Sequence, residues 1–176
     1  MNLTNKKTYY QIILDKSGSM SDCIAQTING FNEQMQMIKG LQEKYPEQEI
    51  LVSLTTFNHE VFFDVNCVKP DKLKEMKDEQ NSNSWFINLD DYIVYKPSGL
   101  TSLYDAIGES VKNIRNISEK EVLEDKASVV VVIITDGYEN SSENYNYSQI
   151  KSMIKELEKS DNWTFTYLSN TIDAIK

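Results

Sequence analysis

Two rhythms alternate along this chain: short, nearly continuous apolar runs, and longer stretches whose apolar residues step by three and four. Residues 9–14 form a short apolar run ending at Asp15, which reads as a buried strand. From Ile24 onward, Ile28, Phe31, Met35, Ile38 and Leu41 fall at helical spacing and predict one stripe against a core. Met35 and Met37 read as core fillers. Pro46 lies in the loop before a Val-, Leu- and Thr-rich strand, Ile50–Phe57. Asn58 and His59 then predict a tight turn into residues 61–65, an antiparallel edge hairpin.

Residues 66–83 are polar and rich in Lys, Asp, Glu and Asn, and they predict a short surface helix followed by a loop. Trp85 and Phe86 are expected to return the chain to the core. Leu103, Ile107, Val111, Ile114 and Ile117 define a second amphipathic helix. Residues 129–134 are apolar at every position, as a central parallel strand covered on both faces should be. A third helix carries Ile150, Met153, Ile154 and Leu157, and Trp163–Leu168 is the last strand. Strands alternating with helices imply an α/β fold: a doubly wound, Rossmann-like sheet, mostly parallel, with one antiparallel edge strand and helices on both faces.

Composition narrows the function. A length of 176 residues with 40% hydrophobic content suits one folded domain, 1–176, without repeats or an internal linker. The net charge of −9 and the lack of a basic run argue against nucleic acid as a partner. No apolar run spans a bilayer, no signal-peptide pattern follows Lys6 and Lys7, and Cys23 and Cys67 read as two inert thiols. A cytoplasmic protein with no membrane partner is the expectation.

In open α/β sheets ligands sit beyond the carboxyl ends of the strands, at the topological switch point. The chemistry of this sequence is written there. Asp15-Lys16-Ser17-Gly18-Ser19 follows the first strand, Thr135-Asp136-Gly137 follows the central one, and Ser98-Gly99-Leu100-Thr101 opens the second helix. If the two strands are neighbours, Asp15, Ser17, Ser19, Thr101 and Asp136 converge. All five offer oxygen and none offers nitrogen or sulfur, which selects Mg²⁺, Ca²⁺ or Mn²⁺ over zinc or copper, and Mg²⁺ is the expected ion.

These three ordered motifs, with Ile13-Leu14-Asp15-Lys16-Ser17-Gly18-Ser19-Met20 and Thr101-Ser102-Leu103-Tyr104-Asp105-Ala106-Ile107 around them, resemble the metal-ion-dependent adhesion site of von Willebrand factor A domains of the bacterial cytoplasmic type. The resemblance implies that Ser17, Ser19 and Thr101 touch the metal directly, that Asp15 and Asp136 act through bound water, and that a protein partner's Asp or Glu completes the shell. It also points to partners of the AAA-type ATPase or stress-response kind. The family has six strands and a last helix, whereas this sequence ends at Thr171-Ile172-Asp173-Ala174-Ile175-Lys176; the expectation is either a truncated chain or a shorter sheet lacking the sixth strand and the last helix. The second glycine often found before the family's threonine is replaced by Leu100.

Other residues have plainer readings. Asp105 is a first-turn acid favoured by the helix dipole, or else a bond towards Ser17 or Ser19. Asp22 is a first-turn acid rather than part of a neighbouring metal site. His59, the single histidine, is a solvated turn residue, and no Ser/His/Asp or Cys/His triad accompanies it. The segment 138–147 is either a polar loop or a tyrosine-bearing specificity rim. The expectation is an interaction module and not an enzyme. The main alternative is a Mg²⁺-dependent phosphatase of the haloacid-dehalogenase type. That chemistry uses a second Asp two residues after the first, where this chain has Ser17, a poor proton shuttle near neutral pH.

Overall fold

A computed structural model describes residues 6–79 and 91–169. Trp85 and Phe86, expected in the core, and the terminal residues 171–176 lie outside the described residues. Strand β1 (Lys7–Asp15) sits at the middle of a five-stranded sheet. It pairs in parallel with β2 (Ile50–Phe57) on one side and with β6 (Ala127–Ile134) on the other. Beyond β6 lies β7 (Trp163–Leu168), also parallel, and beyond β2 lies the antiparallel β3 (Val61–Val68), giving the order β3-β2-β1-β6-β7. The expected mostly parallel sheet with one antiparallel edge strand is what forms.

The alternation of side chains along β1 explains why both faces need cover. Tyr10, Ile12 and Leu14 face helix α1 (Ile24–Lys44), packing with its Phe31, Met35 and Ile38. Tyr9 and Ile13 face the other way, with Val129, Val131 and Ile133 of β6. There they meet Ile107, Val111 and Ile114 of helix α2 (Leu103–Leu123) and Ile150 of helix α3 (Tyr147–Leu157). Before α1 the chain makes a 3₁₀ helix, Gly18–Cys23, which buries Met20.

Three expectations need correction. Residues 66–83 do not open with a surface helix: β3 continues to Val68, a single 3₁₀ turn covers Pro70–Lys72, and a short strand β4 (Met76–Asp78) follows. β4 pairs in parallel with β5 (Ile93–Tyr95), forming a two-stranded sheet. The cause is tertiary. Leu73, Met76 and Tyr95 are buried in the α1-side core, and the side-chain amide of Asn32 on α1 brackets Met76, accepting from its N–H at 2.9 Å and donating to its carbonyl at 3.0 Å. Such isolated apolar residues in a charged segment carry no period to read. Met37 is 48% exposed rather than a core filler, and Ile117 is 40% exposed, so the α2 stripe is closed by buried Ser118 instead.

The architecture fixes where a ligand can sit. The chain leaves β1 through α1 towards β2 on one side, and reaches β6 on the other side through α2. The crevice opened by that reversal lies at the carboxyl ends of β1 and β6.

Candidate functional site

Asp15 is the last residue of β1 and is fully buried. One carboxylate oxygen accepts from the amide of Ser17 at 2.8 Å, and the other accepts from the hydroxyl of Thr135 at 2.7 Å. Burial pushes its carboxyl above the usual carboxylate value; the Ser17 and Thr135 bonds pull it back, and the neighbouring charge of Asp136 pushes it up again. Thr135 therefore links the two central strands at the crevice, a role the sequence reading missed although the residue belongs to the Thr-Asp-Gly motif. Tyr95 was missed as well. Its buried hydroxyl donates to the carbonyl of Asp15 at 2.6 Å, and burial with the Asp15 charge holds its phenol well above the ordinary tyrosine value.

The hydroxyls of Ser17 and Ser19 lie 3.3 Å apart, the first buried and the second open to solvent. Asp136, half-buried, accepts from the amide of Tyr138 at 3.2 Å. The turn after it needs Gly137, whose φ of 88° lies in the left-handed region. The loop before α2 is docked onto the β1 loop through Gly18 N–H to Gly99 O at 2.9 Å and Ser98 N–H to Lys16 O at 2.8 Å. Gly99 is required there. Its φ is 82°, and a Cβ on it would meet Nδ1 of His59 at 2.6 Å. His59 is half-exposed, as a turn residue should be, yet it also walls this loop. Thus Asp15, Ser17 and Ser19 share one turn, Asp136 is near enough for its charge to act on Asp15, and buried Thr101 is carried on a loop tied to that turn.

Lys16, next to Asp15 in the chain, turns its side chain towards β3. Its ammonium lies 3.7 Å from the ring centroid of Phe62 on β3. Burial lowers its pKa, with Asp64 and Glu60 opposing that shift. The ion pairs found among the described residues leave Asp15 and Asp136 without a cationic side chain. No cluster of three or more His, Cys, Asp or Glu suited to a metal occurs among the described residues; the present donor set is two carboxylates and hydroxyls.

The segment 138–147 resolves into two parts. Its acidic residues and serines cap the start of α2, where Ser102 itself provides no side-chain cap. Glu139 accepts from the amides of Tyr104, Ser141 and Ser142 at 3.0, 2.9 and 2.8 Å and from the Ser142 hydroxyl at 2.7 Å. Asp105 receives three amides, from Glu143, Asn144 and Tyr145, at 2.8–2.9 Å. It therefore binds this loop and does not reach for Ser17 or Ser19, since a carboxylate in the first turn of α2 is aimed at the nearest orphan amides. Tyr145 turns inward onto Gly108, while Tyr138 and Tyr147 are 66% and 60% exposed. Asp22 is exposed on the 3₁₀ helix, and Cys23 and Cys67 are free, half-buried thiols.

Residues 11–171 match the von Willebrand factor type A domain family. Among curated proteins none matches the sequence. The fold is similar to that of the three N-terminal domains of the type V pili tip protein Mfa5 from Porphyromonas gingivalis, with a TM-score of 0.50 at 15% identity, covering 89% of this chain and 26% of that one. The vWF domain of the same protein gives 0.49 at 14% identity, over 83% and 44% of the two chains. The PilB minor pilin from Streptococcus sanguinis gives 0.49 at 14%, over 85% and 42%. The chain thus spans less than half the length of these structures, and a likeness at such identity speaks to the fold alone.

Proposed function

This chain belongs to the von Willebrand factor type A family, and from that premise we propose that it is a divalent-cation-dependent protein-binding module. The family typically serves protein interaction. The observation that carries the finer reading is electrostatic: two neighbouring carboxylates, Asp15 buried on the turn that carries the Ser17 and Ser19 hydroxyls and Asp136 half-buried, have no cationic side chain paired with them among the described residues. A buried carboxylate next to a second one is costly unless a cation lies between them.

The donor set fits Mg²⁺, with Mn²⁺ or Ca²⁺ as substitutes, because every group is a hard oxygen. In this reading Ser17, Ser19 and Thr101 would hold the ion through their hydroxyls, and Asp15 and Asp136 would act through bound water. Bound there, the cation supplies a positive charge that neutral hydroxyls leave unsatisfied, and an Asp or Glu of a protein partner answers it. AAA-type ATPases or stress-response proteins, in the cytoplasm, are the partner class and setting proposed. This reading assigns the site to binding: the residues named for it are hydroxyls and carboxylates, with no histidine, cysteine or lysine in a catalytic role.

Thermal melts in Mg²⁺, Mn²⁺ and EDTA, paired with partner capture in Mg²⁺ or EDTA, test the proposal. A rise in Tm with the ion and capture lost in EDTA are expected. Melts indifferent to every ion at millimolar concentration sink the metal site; capture indifferent to EDTA moves the interface elsewhere.

A further inference from the structure

Next to the crevice, on the α2 and α3 face of the sheet, lies a groove of about 450 Å³. Leu103 and Ile107 of α2 form one wall, Ile150 and Ile154 of α3 the other, and Tyr147 and Tyr167 its rim. Its lining is mostly apolar, yet Tyr147 and Tyr167 are 60% and 48% exposed. Exposed aromatics gathered around a concave apolar floor are uncommon on a surface that meets only water. Tyr104 and Tyr147 stand with ring centroids 6.2 Å apart, and Lys151 places its ammonium 5.5 Å from the Tyr147 ring. Lys155 lies along the same wall.

Two features say what fits. The groove is continuous with the crevice, because Thr135 and Gly137 line its end, and these residues flank Asp136. Thr135 also donates to Asp15. A segment leaving the crevice therefore enters the groove within a few residues. The second feature is charge: in a chain of net charge −9, the charged side chains that line this groove are Lys151 and Lys155, while Glu139, near Tyr104, and Glu158, near Tyr167, stand outside the lining. It suits an acidic segment carrying one large apolar side chain.

We propose that the groove is the second half of the partner surface, taking an aromatic or large aliphatic side chain from the same acidic segment whose carboxylate meets the metal. Tyrosines supply broad contact area with only two rotatable side-chain bonds to immobilise, which suits them to anchor such a side chain. The position of the first carboxylate rests on the metal reading above; the groove's apolar selectivity does not.

The test selects displayed random dodecapeptides on the full chain in Mg²⁺, then measures a fluorescein-labelled synthetic copy of the most enriched one by anisotropy. Enriched sequences should combine an acidic residue with an aromatic or large aliphatic one. Ile154→Glu should weaken binding by about tenfold or more, and Lys151→Glu with Lys155→Glu should weaken it further, while the Mg²⁺-induced rise in Tm stays as in wild type. Should Ile154→Glu fail to fold by circular dichroism, Tyr147→Ala, at an exposed position, makes the same comparison. Binding that needs Mg²⁺ but ignores the groove variants overturns the groove and leaves the metal reading standing. Binding that ignores Mg²⁺ but is lost in the groove variants keeps the groove and removes the metal reading. Enrichment of no peptide counts against the groove, as does tighter binding by a chain ending at Ser169, which would assign the groove to the protein's own following residues.

Discussion

Asn140 and Thr101 hold each other by two hydrogen bonds: the Asn140 side-chain oxygen accepts from the Thr101 amide at 2.8 Å, and the Asn140 amide donates to the Thr101 carbonyl at 3.0 Å. Ser141 adds a second amide to the same carbonyl at 3.0 Å. The loop that follows Asp136 thus sets the position of the one candidate ligand carried by the α2 loop. Metal affinity should depend on a side chain that touches no metal. Asn140→Ala is expected to keep its fold and to weaken Mg²⁺ binding by about tenfold, measured by calorimetry. Unchanged affinity would show that Thr101 is held well enough without it.

Asp15 anchors the Ser17 amide and the Thr135 hydroxyl, and substitution can separate this role from the proposed metal role. Removing its carboxylate entirely leaves the Ser17 amide and the Thr135 hydroxyl without an acceptor in a buried place, at about 1–3 kcal/mol each. Asp15→Asn keeps one acceptor and removes the charge, so it should fold and melt in EDTA nearer to wild type than Asp15→Ala does. Both variants should lose the Mg²⁺-induced rise in Tm. A retained response in either would locate the ion away from this turn.

Glu139 is the cap that α2 lacks from its own sequence. Burial acts to raise its carboxyl, but the amide and hydroxyl of Ser142 and the amides of Tyr104 and Ser141 outweigh that and hold it below the ordinary value. A depressed acid contributes stability that is complete above its unfolded pKa and lost as pH falls through its folded pKa. Glu139→Ala should therefore cost about 1–2 kcal/mol at neutral pH, and the gap to wild type should narrow as pH drops below about 4.3. Urea titrations at several pH values measure it; a gap constant with pH would mean the side chain acts by packing.

Gly108 is a helical glycine with a reason. A Cβ there would meet the ring of Tyr145 at 2.6 Å, so Gly108→Ala should destabilise by about 1–3 kcal/mol in spite of alanine's better helix propensity. With Tyr145→Ala in the background the ring is gone, and the same substitution should turn neutral or stabilising. The reversal of sign, read from denaturant midpoints, is the evidence sought; equal costs in both backgrounds would remove Tyr145 as the cause.

Much of this molecule was legible in one dimension. The strands Ile50–Phe57 and Trp163–Leu168, the α1 and α2 stripes and the apolar β6 were set by local periodicity, because a side chain's face follows from its position in a strand or helix. The oxygen-bearing turns after β1 and β6 were equally plain, since glycine beside Asp and Ser marks a sharp turn at a strand end. What the sequence left open was everything that depends on a neighbour brought from afar. Leu73 and Met76 read as a charged surface segment until α1 buried them, and Asp105 looked like a dipole acid until the 143–145 amides arrived beside it. Nothing in the Thr-Asp-Gly motif gave Thr135 a role, and only the pairing of β1 with β6 puts its hydroxyl on Asp15. Periodicity reports which face a residue takes; burial and hydrogen bonding are decided by the element on the other side, which folding alone supplies.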